Sequence, residues 1–106
     1  MVNFNYNNQN LIIDVKCTTY GRDTSIPAYK DKDKNINIIM RVSLIDTENG
    51  IGFIEGFIKA NKSYHHEFWN PNATTPCWSI PQSSLIKDFN YFIQTNFKDR
   101  KSTRLN

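Results

Sequence analysis

The sequence predicts an α+β domain: a four-stranded antiparallel sheet, built from two hairpins, with one C-terminal helix packed on one face. Three observations lead there. Alternating apolar runs come in two pairs, over residues 2–18 and 36–60; a helical apolar stripe fills residues 83–97; and neither an internal repeat nor a βαβ alternation demands a parallel sheet. The chain has 106 residues and 12.4 kDa, enough for one core. The expected organisation is a single domain over residues 1–100 and a disordered tail over residues 101–106.

In the first pair, Val2, Phe4 and Tyr6 alternate with asparagines, and Leu11, Ile13, Val15 and Cys17 alternate with Ile12, Asp14, Lys16 and Thr18. A two-residue loop at Asn8-Gln9 would set Phe4 opposite Ile13 and Tyr6 opposite Leu11. Cys17 falls on that apolar face and reads as buried and inert. Residues 20–34 break the pattern with Gly21, Pro27 and the alternating charges of Lys30 to Lys34, which read as a solvated loop.

In the second pair, Ile36, Ile38, Met40, Val42 and Leu44 face Gly52, Ile54, Gly56, Ile58 and Ala60. A three-residue loop Glu48-Asn49-Gly50, with Gly50 left-handed, pairs Leu44 with Ile54 and Met40 with Ile58. A two-residue Asn49-Gly50 loop would instead bring Glu55 onto the apolar face, because a one-residue slip exchanges the faces. The favoured register leaves Arg41, Ser43, Glu55, Phe57 and Lys59 on a solvated outer face. There, Ile39 and Phe57 are candidates for a homodimer contact.

The helix is expected over residues 83–97, where Leu85, Ile86, Phe89, Phe92, Ile93 and Phe97 share one stripe, with Pro81, Ser83 and Ser84 at its start. Before it, roughly residues 61–84 show neither period, and a connection of that length is usually functional or disordered. Disorder fits poorly with Tyr64, Phe68, Trp69 and Trp78. Two readings stand: a packed lid with the tryptophans as plugs, or a partner surface anchored by aromatic residues.

Composition excludes several classes. The formal charge of +3 falls to +1 without Lys101 and Arg104, too little for strong counterion release on nucleic acid. Asn stands at 14 positions, which suggests an A/T-rich genome. The N-terminus lacks a signal-peptide pattern and no window approaches a membrane span, so a cytoplasmic chain without membrane partners is expected. Cys17 and Cys77 are too few for a disulfide scaffold. The terminal run from Asp99 to Asn106 resembles translated sequencing-adaptor sequence at a contig end, which implies a native end near residue 100 and a phage, plasmid or metagenomic source.

Catalytic patterns are sparse. His65-His66-Glu67 and Cys77 are zinc-ligand types, but adjacent histidines do not match a helical metal motif and no Cys-x-x-Cys accompanies them. A Cys77–histidine nucleophile lacks an identifiable orienting group. Asp14-Val15-Lys16 resembles the second half of the PD-(D/E)xK nuclease motif, in which the acidic residue binds metal and the lysine assists. The earlier acidic residue of that family has no counterpart, since no Asp or Glu precedes Asp14. Gly50-Ile51-Gly52 is turn chemistry rather than a dinucleotide loop. No catalytic residue, metal or cofactor is expected.

The leading expectation is therefore a small non-enzymatic inhibitor of a phage or mobile element. It would block a host protein or ribonucleoprotein defence complex, as anti-CRISPR proteins do, through Tyr64, His65, His66, Phe68, Trp69, Trp78 and Arg22. The alternative is a sponge for a nucleotide signal or short RNA, with bases stacked on the aromatic residues and phosphates on Lys16, Arg41 and Lys59. A metal-dependent enzyme using His65 and His66 ranks third.

Overall fold

The computed structural model describes residues 2–19, 25–30 and 35–97. In chain order the elements are β1 (Val2–Tyr6), β2 (Gln9–Thr19), β3 (Ile26–Ala28), β4 (Ile38–Asp46), β5 (Ile51–Lys59), α1 (Ala60–Ser63), β6 (Trp69–Asn70), β7 (Cys77–Ile80) and α2 (Phe89–Asn96). No described helix is long and apolar enough to cross a membrane.

The main sheet has the order β1-β2-β4-β5 and is mixed. Both expected hairpins form, yet β2 and β4 join them in parallel, from Ile13 beside Ile38 to Thr19 beside Leu44. The all-antiparallel expectation fails at this seam. A parallel pair obliges the chain to return to the starting end before the second strand begins, which takes a dozen residues or more. The connection from β2 to β4 is more than a loop, because it carries β3.

Strand β3 belongs to a second sheet of order β3-β7-β6, in which Ile26 pairs with Ile80, Ala28 with Trp78, and Trp69 with Trp78. Ile26, Ala28 and Ile80 bury against Ile39, Ile58 and Ala60. On the opposite side, Phe92 and Ile93 of α2 bury against Leu11, Ile13, Ile38 and Phe57. The main sheet thus lies between a helix and a smaller sheet. That is why adjacent Ile38 and Ile39 are both 0% exposed, and why β4 opens with the uninterrupted apolar run Ile38-Ile39-Met40 before it alternates. Phe57 and Ile39, expected on an outer face, are buried.

Turn chemistry corrects both registers. Asn7 and Asn8 have φ of 50° and 65°, the left-handed pair of a type I′ turn, so Phe4 faces Leu11 and Tyr6 faces Gln9. The shift is two residues, and the faces survive. In the second hairpin Asp46 pairs with Ile51 across a four-residue turn, and Gly50 is left-handed with φ of 67°. The Asn49 side-chain amide, 2.7 Å from the Asp46 carboxylate, is the main cause holding that carboxyl below its ordinary range. Register shifts at Ile45 and Glu55 then place Met40 beside Phe57 and Arg41 beside Gly56. This one-residue offset from the expected register moves Phe57 and Lys59 to the helix side, away from Arg41.

The extra residue at the second bulge is Glu55, which ion-pairs with Arg41 and accepts a hydrogen bond from Gln82 Nε2 at 3.2 Å. Arg41 is 0% exposed. A buried guanidinium demands such a partner, because desolvating a charge costs several kcal/mol.

The C-terminal helix is shorter than expected. Asp88 caps it by accepting from the Tyr91 amide at 3.1 Å, and Ser83 and Ser84 lie in a separate 3-10 turn over Gln82–Ser84. Leu85 and Ile86 are extended rather than helical. Ile86 exchanges two backbone hydrogen bonds with Phe57, of 2.8 and 2.9 Å, and the adjacent Leu85 and Ile86 side chains enter opposite cores. With eight residues, α2 cannot cover its whole face. Cys17, expected to be buried there, is exposed.

Two substitutions test this account. A Cβ at Gly56 would stand 2.7 Å from the Leu85 Cβ and 3.1 Å from the Ile86 carbonyl, so Gly56→Ala should lower unfolding free energy by about 1–3 kcal/mol in urea and raise hydrogen exchange at Ile86 first. Glu55→Ala removes the carboxylate from a buried cation and should cost about 3 kcal/mol, read from the same titration.

Candidate functional site

The segment over residues 61–84 is ordered into short elements, and its aromatic residues divide between core and surface. Tyr64 follows α1 and packs edge-on to Trp78, with ring centroids 5.2 Å apart; Trp69 also packs on Trp78, at 4.7 Å and tilted. Tyr64, Phe68 and Trp78 join the second core, whereas Trp69 remains 44% exposed. The packed-lid reading thus holds for Trp78 and not for Trp69, which stays at the surface. Trp78 serves the lid, and Trp69 forms its rim.

Between the anchors Tyr64 and Phe68, a 3-10 turn over His66–Phe68 closes with the Phe68 amide donating to the His65 carbonyl at 2.9 Å. His65, His66 and Glu67 are all exposed. The two imidazole centroids lie 4.3 Å apart, and His65 lies 5.9 Å from the Phe68 ring. The turn leaves His65 and His66 exposed, as Trp69 is, and the three form the exposed rim of this segment, with the partly buried Tyr64 and Phe68 flanking the histidines.

Beneath the rim opens a cleft of about 690 Å³, lined by Lys59, Lys62, Tyr64, His65, Glu67 and Phe68. Sequence reasoning missed Lys62. Its signal is the step of three from Lys59 across a short helix, which puts both ammonium groups over the end of α2. Lys62 Nζ donates to Asn96 Oδ1 at 2.7 Å, and Lys59 Nζ to the Asn96 carbonyl at 3.2 Å, 5.0 Å from the Phe97 ring centroid. Both cations thus lie at the negative end of a helix.

The three cations expected to meet phosphate do not converge. Arg41 is enclosed with Glu55 under the small sheet; Lys16 pairs with Asp14 at 2.8 Å and lies 5.8 Å from the Tyr29 ring; Lys59 is on the helix side. The expected solvated sheet face is covered by the smaller sheet. Arg22, like the charges at 31–34 and the tail at 101–106, lies outside the described residues.

Cys77 is buried on β7, its Sγ 3.9 Å from Ser79 Oγ, and it does not join the histidines. Among the described residues the cluster of metal-ligand type is His65, His66 and Glu67. Other exposed apolar side chains gather toward the β4–β5 turn, where Ile45, Ile51, Phe53 and Ile54 are exposed, and Ile54 borders an apolar cleft of about 320 Å³ with Val2, Met40 and Phe89. Homodimer contacts expected at Ile39 and Phe57 are therefore closed, and the exposed strip lies at the opposite end of β5 from Phe57.

No protein-family model, no curated protein and no solved structure matches the chain.

Proposed function

We propose that the chain is a binding protein that acts by occupying the surface of another macromolecule with the rim formed by Trp69, His65 and His66. The observation that carries this reading is the state of Trp69. Its indole is nearly half exposed yet held against Trp78, whose own ring is braced by Tyr64. An anchor already held in place loses little conformational freedom on binding, and tryptophan is among the residues that most often dominate interface energies. Phe68 and Trp78 support the rim from below rather than making contact. The proposed partner is a host protein or ribonucleoprotein of a defence system, and the role is inhibition without catalysis. That choice of partner rests on the small size of the chain and on the absence of a catalytic motif in its sequence.

A second reading has its own observation. The 690 Å³ cleft sets Lys59 and Lys62 beside Tyr64 and Phe68, a pairing of cations with aromatic faces that suits a nucleotide or a short RNA end. It replaces Lys16 and Arg41, and both of its lysines must be drawn from Asn96.

Binding to a panel of purified CRISPR ribonucleoprotein effectors tests the first reading. Trp69→Ala should fold, by circular dichroism, and weaken binding about 30-fold, the effect of an anchor worth about 2 kcal/mol. Tyr91→Ala, exposed on α2 at the opposite face, should bind as the parent does. Equal binding by Trp69→Ala would remove the rim from the interface. For the second reading, titration with cyclic dinucleotides and short oligonucleotides at low salt should saturate, and Lys62→Ala should weaken it; a flat titration counts against the cleft.

A further inference from the structure

The geometry of the His66–Phe68 turn points to a divalent transition-metal site formed by His65, His66 and Glu67. Successive residues of a 3-10 helix project about 120° apart, so three neighbours ordinarily aim three ways. Here their ligating atoms all lie within 4.8 Å of one another. The cause is local. His65 precedes the helical residues with extended backbone, ψ 142°, and turns its ring back so that Nδ1 accepts the Glu67 amide at 3.2 Å. That rotation brings its imidazole within 4.3 Å of the His66 ring.

Two imidazole nitrogens and one carboxylate oxygen form a donor set for zinc and its neighbours in the first transition row. Magnesium and calcium take oxygen ligands instead. Ligands on a tetrahedral zinc at 2.0–2.1 Å stand about 3.3 Å apart, so no pair of the three atoms has to close by more than roughly 1.5 Å. All three side chains are exposed and can rotate that far without moving the core. The backbone under them is already held, because Tyr64 and Phe68 on either side are packed into the second core. With three protein ligands, one position faces solvent and remains open to water or to a ligand atom from outside the chain.

Ligation has a visible consequence within the turn. The lone pair with which His65 Nδ1 accepts the Glu67 N–H is the one it would offer to a metal, so binding through Nδ1 releases that amide. Cys77 contributes nothing, being buried on β7. The inference does not rest on the partner reading, since an ion can bind this turn whether or not Trp69 anchors a macromolecule.

The test is isothermal titration of the full, tag-free chain with zinc chloride at pH 7.5, with magnesium chloride as the control. One zinc per chain is expected, with no saturable magnesium. His65→Ala and His66→Ala should each weaken zinc binding at least tenfold, and Glu67→Ala should weaken it less, all three keeping the parent circular dichroism spectrum. In amide-resolved NMR the Glu67 N–H should shift on zinc addition, whereas the Ile86 N–H, inside the strand bridge, should not. Absence of saturable zinc binding overturns the site. So does zinc binding of unchanged strength in the His65→Ala, His66→Ala double variant, which would assign the ion elsewhere.

Discussion

Everything on the second face of the main sheet depends on the parallel seam between β2 and β4. Two hairpins placed side by side with antiparallel neighbours throughout would need only a short link and would leave one sheet face to water. The seam forbids a short link. The longer connection between β2 and β4 contains Ile26–Ala28 as a strand, to which β7 adds and then β6. Trp69 lies on β6, the edge strand of that smaller sheet, and His65 and His66 precede it in the turn that leads there.

Burial on both faces also explains the charge at the centre of the molecule. The face that receives Ile26, Ala28 and Ile80 still carries Arg41 and Ser43 on β4, and Arg41 is fully enclosed. The bulge at Glu55 adds one residue to β5 next to Gly56, the residue opposite Arg41, and the carboxylate of that extra residue pairs with the guanidinium. The same extra residue brings Ile54 and Phe57 to one face, an arrangement strict alternation cannot produce. A single irregularity thus satisfies a buried cation and completes the surface under α2.

How much of this was legible in the sequence follows from the range of the interactions concerned. Hairpins are local, and alternation with Asn-rich and Gly-containing turns located both, although Asn7-Asn8 rather than Asn8-Gln9 supplies the left-handed pair. The core stripe of α2 was legible in Phe89, Phe92 and Ile93 because it has the helical period. Leu85 and Ile86 deceived because they fit the same stripe, while the backbone hydrogen bonds of Ile86 to Phe57, 29 residues away in sequence, made them extended. The parallel seam had only an indirect sign: Ile38-Ile39 and Phe57-Ile58, adjacent apolar pairs that no half-solvated strand needs. Of the candidate site, the aromatic residues and the histidines were visible as types. Their division into braces and rim was not, since it depends on β7 pairing with β3, far upstream in the chain, as well as with the nearby β6.

The chain order of the two sheets sets an order of events during synthesis. By residue 59 the whole main sheet has been made, but β3 has no partner until Cys77–Ile80 emerges. At roughly 5–20 residues per second, the interval is about one to four seconds. Throughout it, Ile39 and Ile58 present an uncovered greasy face while β3 waits as a strand with both edges open. A nascent chain in that interval is the form of this molecule most exposed to capture by chaperones or by its neighbours on the same message.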